Sequence, residues 1–376
     1  MPLRCSNPVR PGACLVLDGT GMSVERDLLP GAAEAARPGR DALRRAAGIA
    51  KATLPWVVSA GLFWLVASGV SWDSVLASLT SVDIRWLVAA LAVQGFAYFL
   101  NSWRWRGLLN RQPVVPLRHA FGSLVLGQWA NMLLPVRAGD LLRGWLLNRL
   151  DRVPTATAIA SVFVDKLFDI VALLLMLAYV ATLAETDPIT RTIVEVLAVV
   201  TVPLVLASFA FAWWRGGWGA IARLFPNSAV AWATRVFERA HLSFSAFRTP
   251  SLFALATLQS VALWAANLGT VVLLFQAFHF ELPWQAAVAV LVLTNLAFLV
   301  PAAPAGIGVY QYAAVLALSG WPVAPNAALA FAITANVCIF LLHVGLGTAA
   351  SFWCGLKPFE LFTRPWTRLR GDAATE

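Results

Sequence analysis

Charged side chains are scarce in this sequence. Asp, Glu, Lys and Arg supply 12% of its 376 residues and apolar types 59%, too little polar material to clothe a soluble fold of this length. No stretch of ordinary composition reaches the roughly 100–150 residues of a soluble domain, so no separate catalytic unit is expected and the chain is not expected to be an enzyme. The four cysteines, Cys5, Cys14, Cys338 and Cys354, lack metal-ligand spacing. Packing is their expected role, with neither a disulfide nor a metal site. A G-x-x-x-x-G-K-[ST] loop is missing too, so an ATP-driven pump is not expected and no cofactor is implied.

What is present is one apolar run after another. With a mean hydropathy of +0.72, the chain reads as an all-α integral membrane protein of about eight membrane segments, some broken or re-entrant. The spans are placed at Leu54–Val70, Trp86–Trp103, Ala158–Ala184, Ile193–Trp214, Leu252–Phe278 and Ala287–Val300, then a short arm Val309–Leu318 and a last span Ala328–Cys354. A net charge of +9 would point to nucleic acid in a soluble protein, but here position matters more than the sum. Segments 1–53, 104–152, 215–248 and 357–370 hold 25 of the 28 Lys and Arg residues. The positive-inside rule therefore places those segments and both termini in the cytoplasm, and no nucleic-acid partner is expected.

The expected organisation is a disordered tail at 1–48, a polytopic membrane domain at 49–356 and a basic tail at 357–376. No small-residue cleavage site follows the first apolar run, so that run is expected to be retained as a span. The third cytoplasmic loop, from Trp213 to Phe247 and including His241, has basic and aromatic residues at helical spacing and reads as an interfacial helix.

The informative charges lie inside apolar surroundings. Asn131, Arg137, Asp140, Arg143, Asp165, Lys166 and Asp169 all fall between Phe121 and Asp169. A charge at mid-membrane costs at least about 2.5–3.5 kcal/mol, which makes such a cluster a functional-site candidate unless it sits at the interface. Phe121–Leu134 is too short and polar for a comfortable span and reads as one arm of a re-entrant hairpin, with Pro135 opening the second arm. That arrangement aims the N–H groups of Val136 to Gly139 at the hairpin tip, where a helix start favours an anion.

Arg137, Asp140 and Arg143 share a helical face, and two readings are open: a salt-bridged ladder, or a phosphate site in which Asp140 holds an arginine in place. Asp165 and Asp169 lie one turn apart, either neutralised by Lys166 and the hairpin arginines or sharing a proton. Arg104, in Trp103-Arg-Trp-Arg106, is an interfacial anchor or a guide for a lipid phosphate. His343 in the last span bridges helices or relays protons. A second interruption follows Asn295, where Pro301, Pro304, Gly306 and Gly308 break an apolar run at membrane depth. Paired breaks in two halves point to a transport site at a repeat interface.

These residues carry a resemblance. Arg104-Trp105-Arg106, Asn131 with Leu134-Pro135-Val-Arg137-Ala-Gly139-Asp140-Leu-Leu-Arg143, Asp165-Lys166-Leu-Phe-Asp169, and Pro301-Ala-Ala-Pro304-Ala-Gly306-Ile-Gly308-Val-Tyr-Gln311 resemble the flippase-like transmembrane domain of lysylphosphatidylglycerol synthase over about residues 50–355. The family usually has Glu, Glu-Arg, Gly and Glu where this chain has Asp140, Asp165-Lys166, Ala305 and Gln311.

The resemblance implies a lipid translocase of the bacterial inner membrane that moves a phospholipid or lipid-linked head group between leaflets. Arg137, Arg143 and Arg104 would then meet the phosphate, Asn131, Asp140, Asp165 and Asp169 would order the cavity, and the breaks at Pro135, Gly139 and Pro301 to Gly308 would permit alternating access. The expected partners are membrane lipids, and either a second copy of the chain or a separate biosynthetic enzyme. Two alternatives stay open: a non-transporting accessory subunit of lipid or envelope-glycan synthesis, and a membrane-embedded transferase.

Overall fold

A computed structural model describes residues 53–109, 115–133, 139–183, 249–298, 300 and 302–355, with Val199, Pro203 and Leu206. The expected tails, the third cytoplasmic loop with His241, Pro135, Arg137, Pro301 and all but those three residues of the span at Ile193–Trp214 lie outside the described residues. Every element described is helical, as the composition requires.

The first expected span does not run to Val70. Helix α1 (Thr53–Ala67) turns by 89° into α2 (Trp72–Thr80). At the corner the Ser71 N–H donates to Asn326 Oδ1 at 3.1 Å, pinning the bend to a distant helix start. Helix α3 (Ile84–Leu108) opens on Asp83, whose carboxylate accepts from the Arg85 N–H at 2.8 Å. At about 1.5 Å per residue its 25 residues exceed the roughly 30 Å of a bilayer core. Helices α7 (Pro250–Ala277) and α10 (Pro325–Trp353) are also long and apolar enough to cross, and each starts on a proline, where the missing N–H has no partner to lose.

Between α3 and the 29-residue α6 (Thr155–Leu183) lies a helical hairpin, α4 (Leu117–Leu133) and α5 (Gly139–Asp151). Helix α4 begins one turn before the expected Phe121. His119 Nδ1 and Asp151 Oδ1 meet at 2.8 Å at the base, and the Gly139 N–H donates to Asn131 Oδ1 at 2.8 Å near the tip. The arms are thus antiparallel and enter and leave on one side. Their 17 and 13 residues rise about 25 Å and 20 Å, short of a full crossing, as a re-entrant hairpin requires. They touch backbone to backbone: a Cβ on Gly139 would strike the Gly127 carbonyl, so only glycine fits.

The second interruption has a similar outline. Helix α8 (Trp284–Ala297) has 14 residues and ends before the expected Val300, so it is a short arm and no complete span. A single 3-10 turn (Pro304–Gly306) leads into α9 (Val309–Leu318). Ala305, Gly306 and Gly308 all have left-handed backbones, with φ of 60°, 66° and 87°. Neighbours satisfy this irregular backbone, as the bilayer demands. Ala303 N–H donates to Ser59 Oγ at 2.8 Å, Asn336 Nδ2 to the Ala305 carbonyl at 2.9 Å, and Gly308 N–H to Gln311 Oε1 at 2.7 Å. Gln311 therefore caps its helix with a neutral carboxamide, a role that needs no carboxylate. The 3-10 turn packs against α4, so the second break meets the first hairpin.

Candidate functional site: a buried six-charge cluster

Six charged side chains from α3, α5 and α6 converge. Arg104 stands four residues before the end of α3. Its Nε donates to Asp165 Oδ1 at 2.9 Å, its Nη2 to Asp169 Oδ1 at 2.7 Å and its Nη1 to Ser260 Oγ of α7 at 2.8 Å. From α5, Arg143 Nη2 donates to Asp165 Oδ2 at 3.1 Å, and its Nε lies 3.5 Å from Asp140 Oδ1. Lys166 Nζ stands 3.7 Å from Asp140 Oδ1 and 3.9 Å from Asp169 Oδ2. Three cations face three carboxylates, so the group is formally neutral.

Burial is graded across it. Arg104 and Asp165 are fully enclosed and Arg143 is 3% exposed, whereas Asp169, Asp140 and Lys166 are 20, 28 and 35% exposed. Aromatic faces line the inner end, with the Arg143 guanidinium 4.9 Å over Trp105 and that of Arg104 5.9 Å from Phe168. Trp105 Nε1 donates to Ser161 Oγ at 3.0 Å. Helical spacing explains the supply: Asp165 and Asp169 are one turn apart on α6, and Asp140 and Arg143 three residues apart on α5.

Several sequence expectations change here. Arg104 and Trp105 are not head-group anchors, because both are sealed in the interior and only Trp103 of that motif is well exposed. Helix α7 packs along α3 and gives Ser260 to Arg104, while Trp105 is enclosed by residues of α4, α5 and α6. One of the two sequence readings pairs the α6 carboxylates with Lys166 or the hairpin arginines; the structure places Lys166 and Arg143 beside them and adds Arg104, the most buried of these partners. Asn131 takes the Gly139 N–H, so that donor is not free at the hairpin tip. Asn131 closes the hairpin instead of joining the cluster. Lys166, which the sequence already places among the membrane charges, joins the cluster, and Ser260 is the site residue that sequence reasoning missed. A serine in an apolar helix carries no signal of its own.

An apolar cavity of about 530 Å³ lies between α6 and α7, lined by residues including Phe168, Val171, Met176, Ser260 and Trp264. Phe168 and Ser260 also touch Arg104, so this cavity abuts the inner end of the cluster. Elsewhere, Tyr98 Oη and His343 Nε2 meet at 2.9 Å while His343 Nδ1 lies 2.7 Å from the Ile339 carbonyl. The carbonyl only accepts, so Nδ1 carries hydrogen and Tyr98 donates to Nε2, making His343 a bridge between α3 and α10. Among the described residues no group of three His, Cys, Asp or Glu side chains is placed to hold a metal ion.

Long apolar helices, two broken hairpins and an enclosed neutral charge cluster define a multi-pass α-helical membrane protein. The chain belongs to the family described as the lysylphosphatidylglycerol synthase TM region, and the match runs over residues 53–347, so it includes every member of the cluster. It is 25% identical over 287 residues to the glycosyltransferase AglD of Haloferax volcanii, covering 66% of this chain and 45% of that protein. The chain thus spans less than half the length of that relative. It is also 25% identical over 195 residues to a UPF0104 membrane protein of Methanocaldococcus jannaschii, covering 50% of this chain and 78% of that one. A second UPF0104 membrane protein, of Methanothermobacter thermautotrophicus, is 21% identical over 304 residues, covering 75% of this chain and 89% of its own.

Proposed function

We propose that this protein acts in membrane-lipid or glycan biosynthesis as a lipid translocase, moving a phospholipid or lipid-linked head group between leaflets of a bacterial inner membrane, with both termini in the cytoplasm. The observation that carries the reading is the graded cluster: three cations and three carboxylates inside a membrane body, enclosed at Arg104 and Asp165 and open at Asp140, Lys166 and Asp169. Buried ion pairs are weak contributors to stability, so their presence calls for another reason. A fixed array of guanidinium and ammonium groups offsets part of the desolvation cost of an anionic head group leaving water.

Family membership and the glycosyltransferase relative support a place in lipid or glycan chemistry. Both α6 carboxylates already accept from Arg104, which favours a binding role for them over acid–base chemistry on a substrate. One observation favours the accessory-subunit reading: the cluster ties α3, α5, α6 and α7 together and so serves as a brace. The purified protein in proteoliposomes separates the two. A translocase moves fluorescent anionic lipid between leaflets faster than protein-free vesicles do, and an accessory subunit leaves the rate at the vesicle background.

A further inference from the structure

Two cations of the cluster reach Asp140 only at long range, although Arg143 also donates through Nη2 to Asp165 Oδ2 at 3.1 Å and Lys166 Nζ lies 3.9 Å from Asp169 Oδ2. Only 3% of the Arg143 side chain is exposed, and its Nε makes no hydrogen bond. It points to Asp140 Oδ1 at 3.5 Å, and Lys166 Nζ approaches the same oxygen at 3.7 Å. Both separations exceed the roughly 2.7–2.9 Å typical of a charge-assisted bond. By contrast Arg104 makes such bonds at 2.9 and 2.7 Å to Asp165 and Asp169. A buried N–H left without a partner is costly, and a carboxylate just beyond reach does not repair it. Asp140 also sits in the first turn of α5, where a helix start favours negative charge. Lys166 is the most exposed member of the six, so this corner is the one that meets the surroundings.

We infer that Arg143 Nε and Lys166 Nζ form a binding site for a phosphate group, and that the Asp140 carboxylate is its displaceable resident anion. A phosphate bears several acceptor oxygens and can meet both donors at once, where Asp140 offers one oxygen to both at long range. The inference rests on the reading that the cluster handles an anionic head group, and adds Lys166 as the residue that takes the charge and Asp140 as its competitor.

Asp140→Asn gives the sign test. Removing the competing charge strengthens phosphate binding, whereas damage to a structural ion pair weakens it. The probes are short-chain phosphatidylglycerol, short-chain phosphatidylcholine and inorganic phosphate, each titrated against the full chain in detergent and read as a shift in unfolding temperature. Unliganded unfolding of every variant is recorded alongside. Phosphatidylglycerol is expected to bind Asp140→Asn about ten-fold tighter and Lys166→Gln about ten-fold weaker than wild type, the worth of one charge-assisted contact, with Lys166→Arg near wild type.

A response to phosphatidylglycerol but not inorganic phosphate assigns the site to a lipid head group, and an equal response to both assigns it to the free ion. The site is overturned if Asp140→Asn weakens binding as Lys166→Gln does, if Lys166→Gln binds like wild type, or if neither anion shifts the wild type. Binding needs no transport, so an Asp140→Asn gain in a protein that moves no lipid would keep this site and remove the translocase.

Discussion

Arg104 and Asp165 meet at 2.9 Å with neither side chain exposed to any degree, joining α3 to α6 in the middle of the bundle. The pair is the innermost part of a network in which each charge is answered by another.

Breaking that pair from one side is therefore expensive. Among the described residues, Arg104→Met leaves Asp165 with Arg143 alone and Asp169 with only the distant Lys166. We expect a loss of about 3–5 kcal/mol, the usual consequence of an uncompensated buried charge. The double variant Arg104→Met, Asp165→Asn should lose less than the sum of the two single variants, because the charge that each leaves behind is gone. Unfolding by denaturant in detergent measures both.

What the chain discloses before folding depends on what each residue reveals alone. Composition and apolar runs announce the membrane class, and prolines with glycines mark both broken hairpins. The depth of Arg104 is hidden: Trp-Arg-Trp-Arg at a helix end matches an interfacial belt, and only the packing of α6 and α7 around it places it inside. The 89° corner between α1 and α2 escapes for a related reason, since its anchor, Asn326, lies 255 residues from Ser71. Helical spacing pairs Asp140 with Arg143 and Asp165 with Asp169. Pairing across helices, including Ser260 with Arg104, needs the tertiary structure.

The hairpin arms offer a steric test. Gly139→Ala would drive a methyl group into the Gly127 carbonyl, while a methyl group added at Gly61 would have nothing within 4 Å. Gly139→Ala should cost about 1–3 kcal/mol through overpacking, and Gly61→Ala should cost nothing or gain slightly in helix propensity. Unfolding midpoints of the two variants give the comparison directly.

At the second break the strain is in the backbone. Gly308 combines φ 87° with a Ser59 carbonyl that an added Cβ would strike, so Gly308→Ala should be strongly destabilising. Ala305 holds φ 60°, an unfavourable value for a side-chain-bearing residue. Ala305→Gly relieves about 1–2 kcal/mol of left-handed strain against about 0.5–1 kcal/mol of added unfolded-state entropy. The net expectation is a gain of between zero and about 1.5 kcal/mol, read as an equal or higher unfolding temperature; a clear loss would contradict it.

Tyr98 and His343 form a polar bridge between α3 and α10. Tyr98→Phe should cost about 1 kcal/mol, typical of one interhelical hydrogen bond in a membrane protein. If His343 instead served as an obligatory proton relay, His343→Gln would abolish any transport, whereas a bridge predicts only a change in stability.

The most direct measurement is the initial rate of leaflet-to-leaflet movement of a labelled anionic lipid in proteoliposomes, wild type beside Arg137→Ala and Asp169→Asn, with unfolding temperatures matched. Transport by wild type that both folded variants lose is the predicted result. Movement by none of the three, with lipid-linked sugars offered as well as phospholipids, would contradict the translocase and leave the cluster a structural brace.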